Sequence, residues 1–511
     1  MTRTRAVSML GAVSVVGAFA GCSSTDYVIV KVDARPAVHE ARRLSVTLAN
    51  AGTTRTDSLE LRDQAFPVTF SISSPGRTGD LGITVDALDE NGLIVGHGTA
   101  AAKLAETAAR VELDSTDFVV NTDYAGDQFP SDDFEASGFQ LASLPDGTWT
   151  AVFRDSCMAG SCNIFGRRFD KDGKPVETAL SASSNAFVWT TSPTTQASTP
   201  AVASSATTTI AVWDFFDVAG TAMGVACRAL DTAGRASTDQ AALTTAEFAD
   251  VVSVAALGNG NFVASWNTFV TSNDVVHTVF FKPDCTTLGP VQAASTLPGD
   301  AHRASVASSA EQVLVAWIVD GDLHTRMASN AGAFSSNDSV LVARTATDQI
   351  VHARVAAASS GGFVIAARWA PTAPTGPGRI ELYRVDPAGT LVGAPTLVTD
   401  KTAVDDAANS ENDESFGLAS RPDGSVLVAW HTCGDFADDN LCGVFGRILR
   451  DTGDLVTDTF VLPTTTAGDQ RLPSVVGLPD AFVAMWSDAS GKPPDIALRG
   501  ARARIIYPPA M

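Results

Sequence analysis

The chain has 511 residues, of which 45% are hydrophobic and 18% charged, a composition typical of folded domains and not of disordered polymers. Acidic residues outnumber basic ones by 57 to 35, which gives a formal net charge of −22. Such a surface repels a phosphate backbone, so we expect no nucleic-acid partner.

The N-terminus has the pattern of an export signal. Arg3 and Arg5 form a short basic region, and residues 6–20 form an apolar one. At 15 residues the apolar run is shorter than the roughly 20 that span a bilayer as a helix. The small residues Ala20 and Gly21 follow it, as is typical before a signal-peptidase cut.

The sequence FAGC at 19–22 resembles the lipobox of bacterial lipoproteins, with Phe in place of the usual Leu. The resemblance implies that Cys22 is acylated, that residues 1–21 are a lipoprotein signal peptide and that 22–26 are a lipidated tether. Ser23 after the cysteine implies sorting to the outer membrane. The expected partner is thus the membrane, through the lipid on Cys22, in the bacterial cell envelope. A plain secretory signal with an incidental cysteine is the alternative.

Residues 27–116 alternate apolar and polar side chains in short runs such as YVIVKV and LGITVDAL. Turn signals such as ENG at 90–92 separate the runs. A period of two is typical of strands with one buried face. The segment therefore predicts a small immunoglobulin-like or fibronectin-like β-sandwich.

From residue 117 onward the chain is built from repeats. The stretches SLPDGTWTAVF and CNIFGRRFDKDGKPV match SRPDGSVLVAW and CGVFGRILRDTGDLV further along. Each unit holds four short strands, which make one blade of a β-propeller. One strand of each unit ends at an anchor residue, and the seven anchors are Phe153, Trp213, Trp266, Trp317, Ala367, Trp430 and Trp486.

These units predict an all-β protein in which the sandwich is followed by a seven-bladed propeller over 117–507. The strand at 117–121 precedes the first blade, so we expect it to pair with the last blade and close the ring. The chain resembles bacterial lipoproteins with tandem DGxFVVAW and GRxFDxxG propeller repeats, over roughly 117–505. The resemblance implies a fold and brings no catalytic motif.

The tryptophans of the repeat could stack on sugars, but a residue that recurs in register is more typical of packing between blades. Trp149 and Trp189 lie outside the register and are the better candidates for a surface role. Six cysteines follow the lipobox, and in an exported chain they indicate disulfides. The spacing favours Cys157–Cys162 and Cys433–Cys442, which leaves Cys227–Cys285. Zinc is the competing interpretation, but the chain has no CxxC pair.

Length variation is concentrated on one face of the propeller, which we expect to be its working face. Acidic residues in the loops of blades 1 and 6 cluster on that face, and they have three interpretations. The residues could be charge exposed to solvent, a docking surface for a basic protein or peptide, or a calcium site that would use Asp435, Asp438 and Asp439. No other cofactor is predicted.

Residues just before each innermost strand should point toward the axis and surround the mouth of the central channel at the working face. The candidates there are Asp250, His302, Arg303, His352, Glu414 and Arg471. They could form a catalytic pocket or a ring of salt bridges. The chain lacks GxSxG, HExxH and phosphate-loop motifs. We therefore predict an envelope-anchored binding or scaffolding platform, with a protein or peptide ligand, and not an enzyme. The alternatives are a propeller-type hydrolase or lyase acting on glycans, or a calcium-stabilised surface structural protein.

Overall fold

A computed structural model describes residues 27–62, 64–74, 77–104, 108–120, 139–154, 163–176, 186–190, 195–217, 223–245, 249–268, 274–372, 378–399, 416–433, 442–492 and 500–509. These residues form 36 β-strands and no α-helix, which confirms the all-β prediction. Within the same residues no helix is long and apolar enough to cross a membrane. The chain divides into two compact units, Met1–Asp117 and Phe118–Met511.

The first unit is a single curled sheet of seven strands in the order β3-β2-β5-β6-β7-β1-β4. Its strands are β1 Tyr27–Ala34, β2 Arg43–Asn50, β3 Thr53–Glu60, β4 Val68–Ser73, β5 Asp80–Leu88, β6 Ile94–Lys103 and β7 Ala108–Ser115. Strands β1 and β7 run parallel, whereas the other neighbours are antiparallel.

The alternating sequence explains why this sheet buries one face. In β1, Val28, Val30 and Val32 are fully buried, whereas Tyr27 and Ile29, which alternate with them, are exposed. The buried side chains pack with those of β2, β5 and β7 in one core. The unit differs from a sandwich of two separate sheets because β6 and β7 pair and make the sheet continuous.

The second unit is a β-propeller of seven blades, as the repeats predict. Blade 1 consists of β9 Phe139–Ser143, β10 Trp149–Arg154, β11 Ile164–Phe169 and β12 Pro175–Val176, and β13 Ala186–Val188 also pairs with β11. Blade 2 consists of β14 Thr195–Ser204, β15 Thr208–Asp217, β16 Met223–Asp231 and β17 Ala241–Thr244, and blade 3 of β18 Ala249–Ala256, β19 Phe262–Thr268, β20 Val276–Phe281 and β21 Gln292–Ala293. Blade 4 consists of β22 Ala301–Ser308, β23 Gln312–Val319, β24 Asp322–Ser329 and β25 Ser339–Val342.

Blades 5 to 7 follow the same order of strands. Blade 5 consists of β26 Asp348–Ala357, β27 Phe363–Pro371, β28 Arg379–Val385 and β29 Thr396–Leu397. Blade 6 consists of β30 Phe416–Ser420, β31 Ser425–Cys433, β32 Cys442–Arg450 and β33 Phe460–Val461. Blade 7 consists of β34 Gln470–Gly477, β35 Phe482–Asp488, β36 Gly500–Ile506 and β8 Phe118–Val119. The first strand named for each blade contacts the first strands of its neighbours, so these seven strands are the inner strands around the channel.

The outermost strand of blade 7 is β8, which comes from the beginning of the propeller unit. Phe118 and Val119 pair with Ala503 and Arg502 of β36, and the amide of Val120 donates to the carbonyl oxygen of Ala501 at 2.8 Å. The first and last segments of the unit therefore share one blade, which leaves no open edge at that point in the ring.

Tight Asp-Gly turns join the inner strand to the next strand, and the third strand to the fourth, in several blades. In blade 1 the Asp146 carboxylate accepts the amide of Thr148 at 2.8 Å, and Gly147 has φ +87°. The left-handed backbone there favours glycine, which explains why the repeat keeps this residue pair.

The anchor tryptophans pack between blades, as we interpreted them. Trp317 is fully buried and shares a core cluster with Val263, Val276 and Phe280 of blade 3. The expectation of a surface role for Trp149 and Trp189 is wrong, since at most 1% of either residue is exposed to solvent. Trp149 stacks on Phe169, with ring centroids 4.2 Å apart. Their position outside the repeat register reflects additional packing in blade 1.

Two of the predicted disulfides are present. Cys227 of β16 bonds to Cys285 of blade 3, across 58 residues of sequence, and Cys433 bonds to Cys442 at the start of the next strand. The first therefore links two neighbouring blades, and the second closes the loop between β31 and β32. Cys157 and Cys162 lie outside the described residues.

Candidate anion-binding site

The inner strands of the seven blades can be aligned on their anchor residues. In each blade, one residue of the inner strand pairs with the residue immediately before the anchor on the second strand. We call these the inner-ring residues, and they are Gln140, Ala201, Ser253, Ser305, Arg354, Gly417 and Ser474. Most are small, as the narrow centre of a propeller requires.

The serines of the inner ring connect neighbouring blades. The Ser253 hydroxyl accepts the amide of Val306 in blade 4 at 3.2 Å. The Ser305 hydroxyl accepts the amide of Val355 in blade 5 at 3.1 Å. Each serine thereby satisfies a backbone donor on the inner strand that follows, so the position has a structural role in these blades.

Arg354 breaks this pattern, because an arginine occupies the position in blade 5. Its side chain is partly exposed, and it lies on β26, one of the inner strands of the ring. No hydrogen bond or ion pair holds its guanidinium among the described residues. Burial, and next the positive charge of Arg303, lowers the pKa of Arg354 to about 10.

Arg303 lies on the neighbouring inner strand. It lies in a β-bulge between His302 and Ser305, and its backbone has φ +58°. Val251 and Leu472 occupy the same bulge in blades 3 and 7, with φ +48° and +57°. The unusual backbone is thus a feature of the repeat, and only blade 4 uses it to carry an arginine.

The Arg303 guanidinium crosses to blade 5, where it donates to the carbonyl oxygen of Val351. His352, the next residue, is buried, and its ring lies edge-on to Phe416 of blade 6, 5.2 Å between centroids. Arg368, opposite His352 on β27, is also buried. Blades 4 and 5 therefore carry Arg303, Arg354 and Arg368 on their first two strands.

The predicted channel-mouth residues only partly come together. Arg303 and His352 lie next to each other across blades 4 and 5, and the His302 ring is 3.1 Å from the carbonyl oxygen of Asp300. Arg471, in blade 7, pairs with Asp469 at 2.7 Å. The side chain of Asp250 and all of Glu414 lie outside the described residues, as do Asp435, Asp438 and Asp439 of the predicted calcium site. Elsewhere in the described chain no cluster of three metal-binding side chains occurs.

Sequence reasoning missed Arg354 because it considered only the starts of the inner strands. Arg354 is the seventh residue of β26, about 20 Å along the strand from its start. Alignment of the seven inner strands on their anchors would have found it, since Arg354 is the one charged residue of the inner ring.

A second polar network fills blade 5 where the anchor tryptophan is missing. The Tyr383 hydroxyl donates to Glu381 at 2.5 Å and accepts the indole N–H of Trp369 at 3.2 Å. Arg379 donates to Glu381 at 2.7 Å and lies 4.7 Å from the Trp369 ring. Burial, and next Glu381, raises the pKa of Tyr383. The phenol therefore stays protonated, and the network completes the packing beside Ala367.

Comparison with models of protein families finds no match, and neither does comparison with curated proteins. Solved structures with a similar fold include an ulvan lyase, with 11% identity over 77% of this chain and 94% of the other, at a TM-score of 0.45. A Hadza microbial sialidase has 9% identity over 94% and 93% of the two chains, with a TM-score of 0.44. An α-L-arabinanase from Penicillium chrysogenum has 12% identity over 67% and 99%, with a TM-score of 0.37.

At these identities the likeness concerns the β-propeller fold alone. It nevertheless corrects one prediction from the sequence, namely that the chain is not an enzyme. A polysaccharide lyase, a sialidase and an arabinanase are among the propellers with this fold. The lack of a familiar motif in a propeller sequence is therefore no ground for assigning a non-catalytic role.

Proposed function

We propose that this protein is a lipid-anchored envelope protein whose propeller channel binds an anionic group between blades 4 and 5. The group would be a carboxylate or a sulfate, carried by a larger ligand that also contacts the loops of the working face. The observation that carries the proposal is Arg354, which lies on an inner strand, has no partner among the described residues and is close enough to Arg303 to be repelled by it.

An arginine in this position is costly to a folded protein. Transfer of a charge out of water is unfavourable unless an opposite charge or several hydrogen bonds replace the lost hydration. Arg447 of blade 6 shows the usual solution, because its guanidinium donates to the carbonyl oxygens of Val398 and Thr457 at 2.8 and 3.1 Å. Arg354 has no such acceptors within the described parts of the chain.

A bound anion would provide the missing acceptors. A guanidinium presents paired N–H donors that match the two oxygens of a carboxylate or sulfate, and charge-assisted bonds of this kind are about twice as strong as neutral ones. The enclosed position limits screening by salt.

Calorimetric titration of the purified protein tests this proposal. We expect glucuronate and sulfate to bind, and glucose, which has no charge, not to bind. Arg354→Gln should weaken anion binding at least tenfold. Arg344→Gln removes an exposed arginine in the connection between β25 and β26 and should leave the affinity unchanged. Equal affinity in all three proteins would overturn the proposal. The same samples, analysed for new products, report whether a bound acidic glycan is also cleaved.

A further inference from the structure

The curled sheet of the first unit ends in two edge strands that face a common groove. Within the described part of the chain, strand β3 pairs only with β2, and β4 pairs only with β1. Between these edge strands lies a cavity of about 370 Å³, which is within the size range of sites for small molecules. Consecutive residues of both strands line it, so their backbones form its two walls.

The floor of the groove is apolar, whereas its mouth and the β3 wall are polar, the wall carrying the Arg55–Asp57 ion pair. Side chains from five elements form the floor: Val46, Leu48, Leu59, Phe70, Ile72, Leu81 and Leu104. At one end, Asn50, Thr53 and Arg77 surround the opening, and the Arg77 guanidinium lies 3.5 Å from the Asn50 side-chain oxygen. An apolar slot with a polar mouth suits a hydrocarbon chain attached to a polar group.

The chain itself enters the unit at this mouth. Tyr27, the first residue of β1, pairs with Ser73, which lines the groove. Cys22 is five residues earlier in the sequence, so its sulfur lies within a contour length of about 17 Å from Tyr27. A lipid on Cys22 can therefore reach the opening without any rearrangement of the sheet.

We infer that the groove between β3 and β4 holds an acyl chain of the lipid on Cys22 when the protein is outside a membrane. The inference rests on the lipid anchor of the proposed function. The inference extends that function, because withdrawal of one acyl chain into the groove would leave fewer chains in the bilayer and so weaken membrane attachment. The chain in the groove would exchange one apolar environment for another.

Variants on one strand can separate groove filling from general destabilisation. Asp57 faces the groove, since it stands opposite buried Val46, whereas Thr56 points to the other side of the sheet. Asp57→Trp should fill the slot, and Thr56→Trp should leave it open. Among the residues that the structure describes, Asp57 pairs only with the exposed Arg55, and an ion pair of this kind contributes little to stability. Thermal melts of both variants verify that they fold.

The experiment uses the fluorescent fatty acid cis-parinaric acid and three forms of the mature chain. We expect the Cys22→Ser form, exported behind a cleavable secretory leader, to bind one equivalent. The same form with Asp57→Trp should lose at least tenfold in affinity, and with Thr56→Trp it should not change. The lipidated wild type should bind none in detergent-free buffer, because its own acyl chain fills the groove.

Mass spectrometry of the wild type separates the two levels of the hypothesis. A mature protein without lipid on Cys22 would refute the proposed anchor. A lipidated protein that binds the probe as well as the Cys22→Ser form does would refute the inference about the groove alone. Failure of the Cys22→Ser form to bind the probe would also refute it.

Discussion

The uncompensated charge of Arg354 predicts that its removal stabilises the folded protein. Arg354→Met keeps most of the aliphatic side chain and removes the guanidinium. Folding lowers the pKa of Arg354 to about 10, well below the usual value of an arginine, and a tenfold change in proton affinity is worth about 1.4 kcal/mol. The charged form therefore costs the folded state about 3 kcal/mol.

The sign of this effect follows from proton linkage. A base whose pKa is lower in the folded state destabilises it at every pH below that value, because it is charged both before and after folding. The cost disappears only as the pH rises above about 10, towards the usual pKa of an arginine side chain. At pH 7 the full effect should therefore be measurable, and modest pH changes should not alter it.

Differential scanning calorimetry provides the assay. For the propeller unit, Phe118–Met511, an unfolding entropy near 2.1 cal/mol/K per residue predicts that 3 kcal/mol raises Tm by about 4 °C. Arg447→Met is the matched control, since that arginine satisfies two carbonyl oxygens and its loss should lower Tm. If Arg354→Met lowered Tm as Arg447→Met does, the idea of an unpaired charge would be refuted.

Three further predictions concern the scaffold that positions the site. Ser305→Ala should cost about 1 to 2 kcal/mol in chemical denaturation, because the amide of Val355 loses its acceptor; a neutral result would mean that the inner-ring serines do not link blades. Replacing Cys227 and Cys285 together with alanine should cost about 4 kcal/mol, against about 2.5 kcal/mol for Cys433 and Cys442, because the closed loops span 58 and 9 residues; the reverse order would contradict the loop-entropy reasoning. Deletion of residues 1–121 should lower Tm far more than deletion of 1–116, because only the longer deletion removes β8, whose Phe118 packs on Phe169 with centroids 5.7 Å apart; equal melting temperatures would show that β8 does not close the ring.

The repeats carried most of the information about the fold. Trp266, Trp317 and Trp486 recur because the same space between blades must be filled each time, and a periodic packing requirement leaves a periodic sequence. The strands of the first unit were also predictable from alternation. Their arrangement was not, because the pairing of β6 with β7 depends on two residue pairs that no local pattern specifies.

The candidate site was less predictable than the fold. The position of Arg303 on an inner strand could be predicted from the repeat. The importance of Arg354, in contrast, depends on the lack of hydrogen-bond acceptors and carboxylates around it among the described residues. A sequence shows which charges a chain contains but not which of them remain without partners after folding. The sites on the acidic loops, at Glu414 and at Asp435, Asp438 and Asp439, remain predictions from the sequence.

The central claim is that an anion binds to Arg354 inside the channel. A crystal structure of the protein with glucuronate bound tests it most directly. We predict a carboxylate with both oxygens about 2.8 Å from the Arg354 guanidinium nitrogens, within reach of Arg303. A structure in which glucuronate occupies another site while only water surrounds Arg354 would contradict the claim.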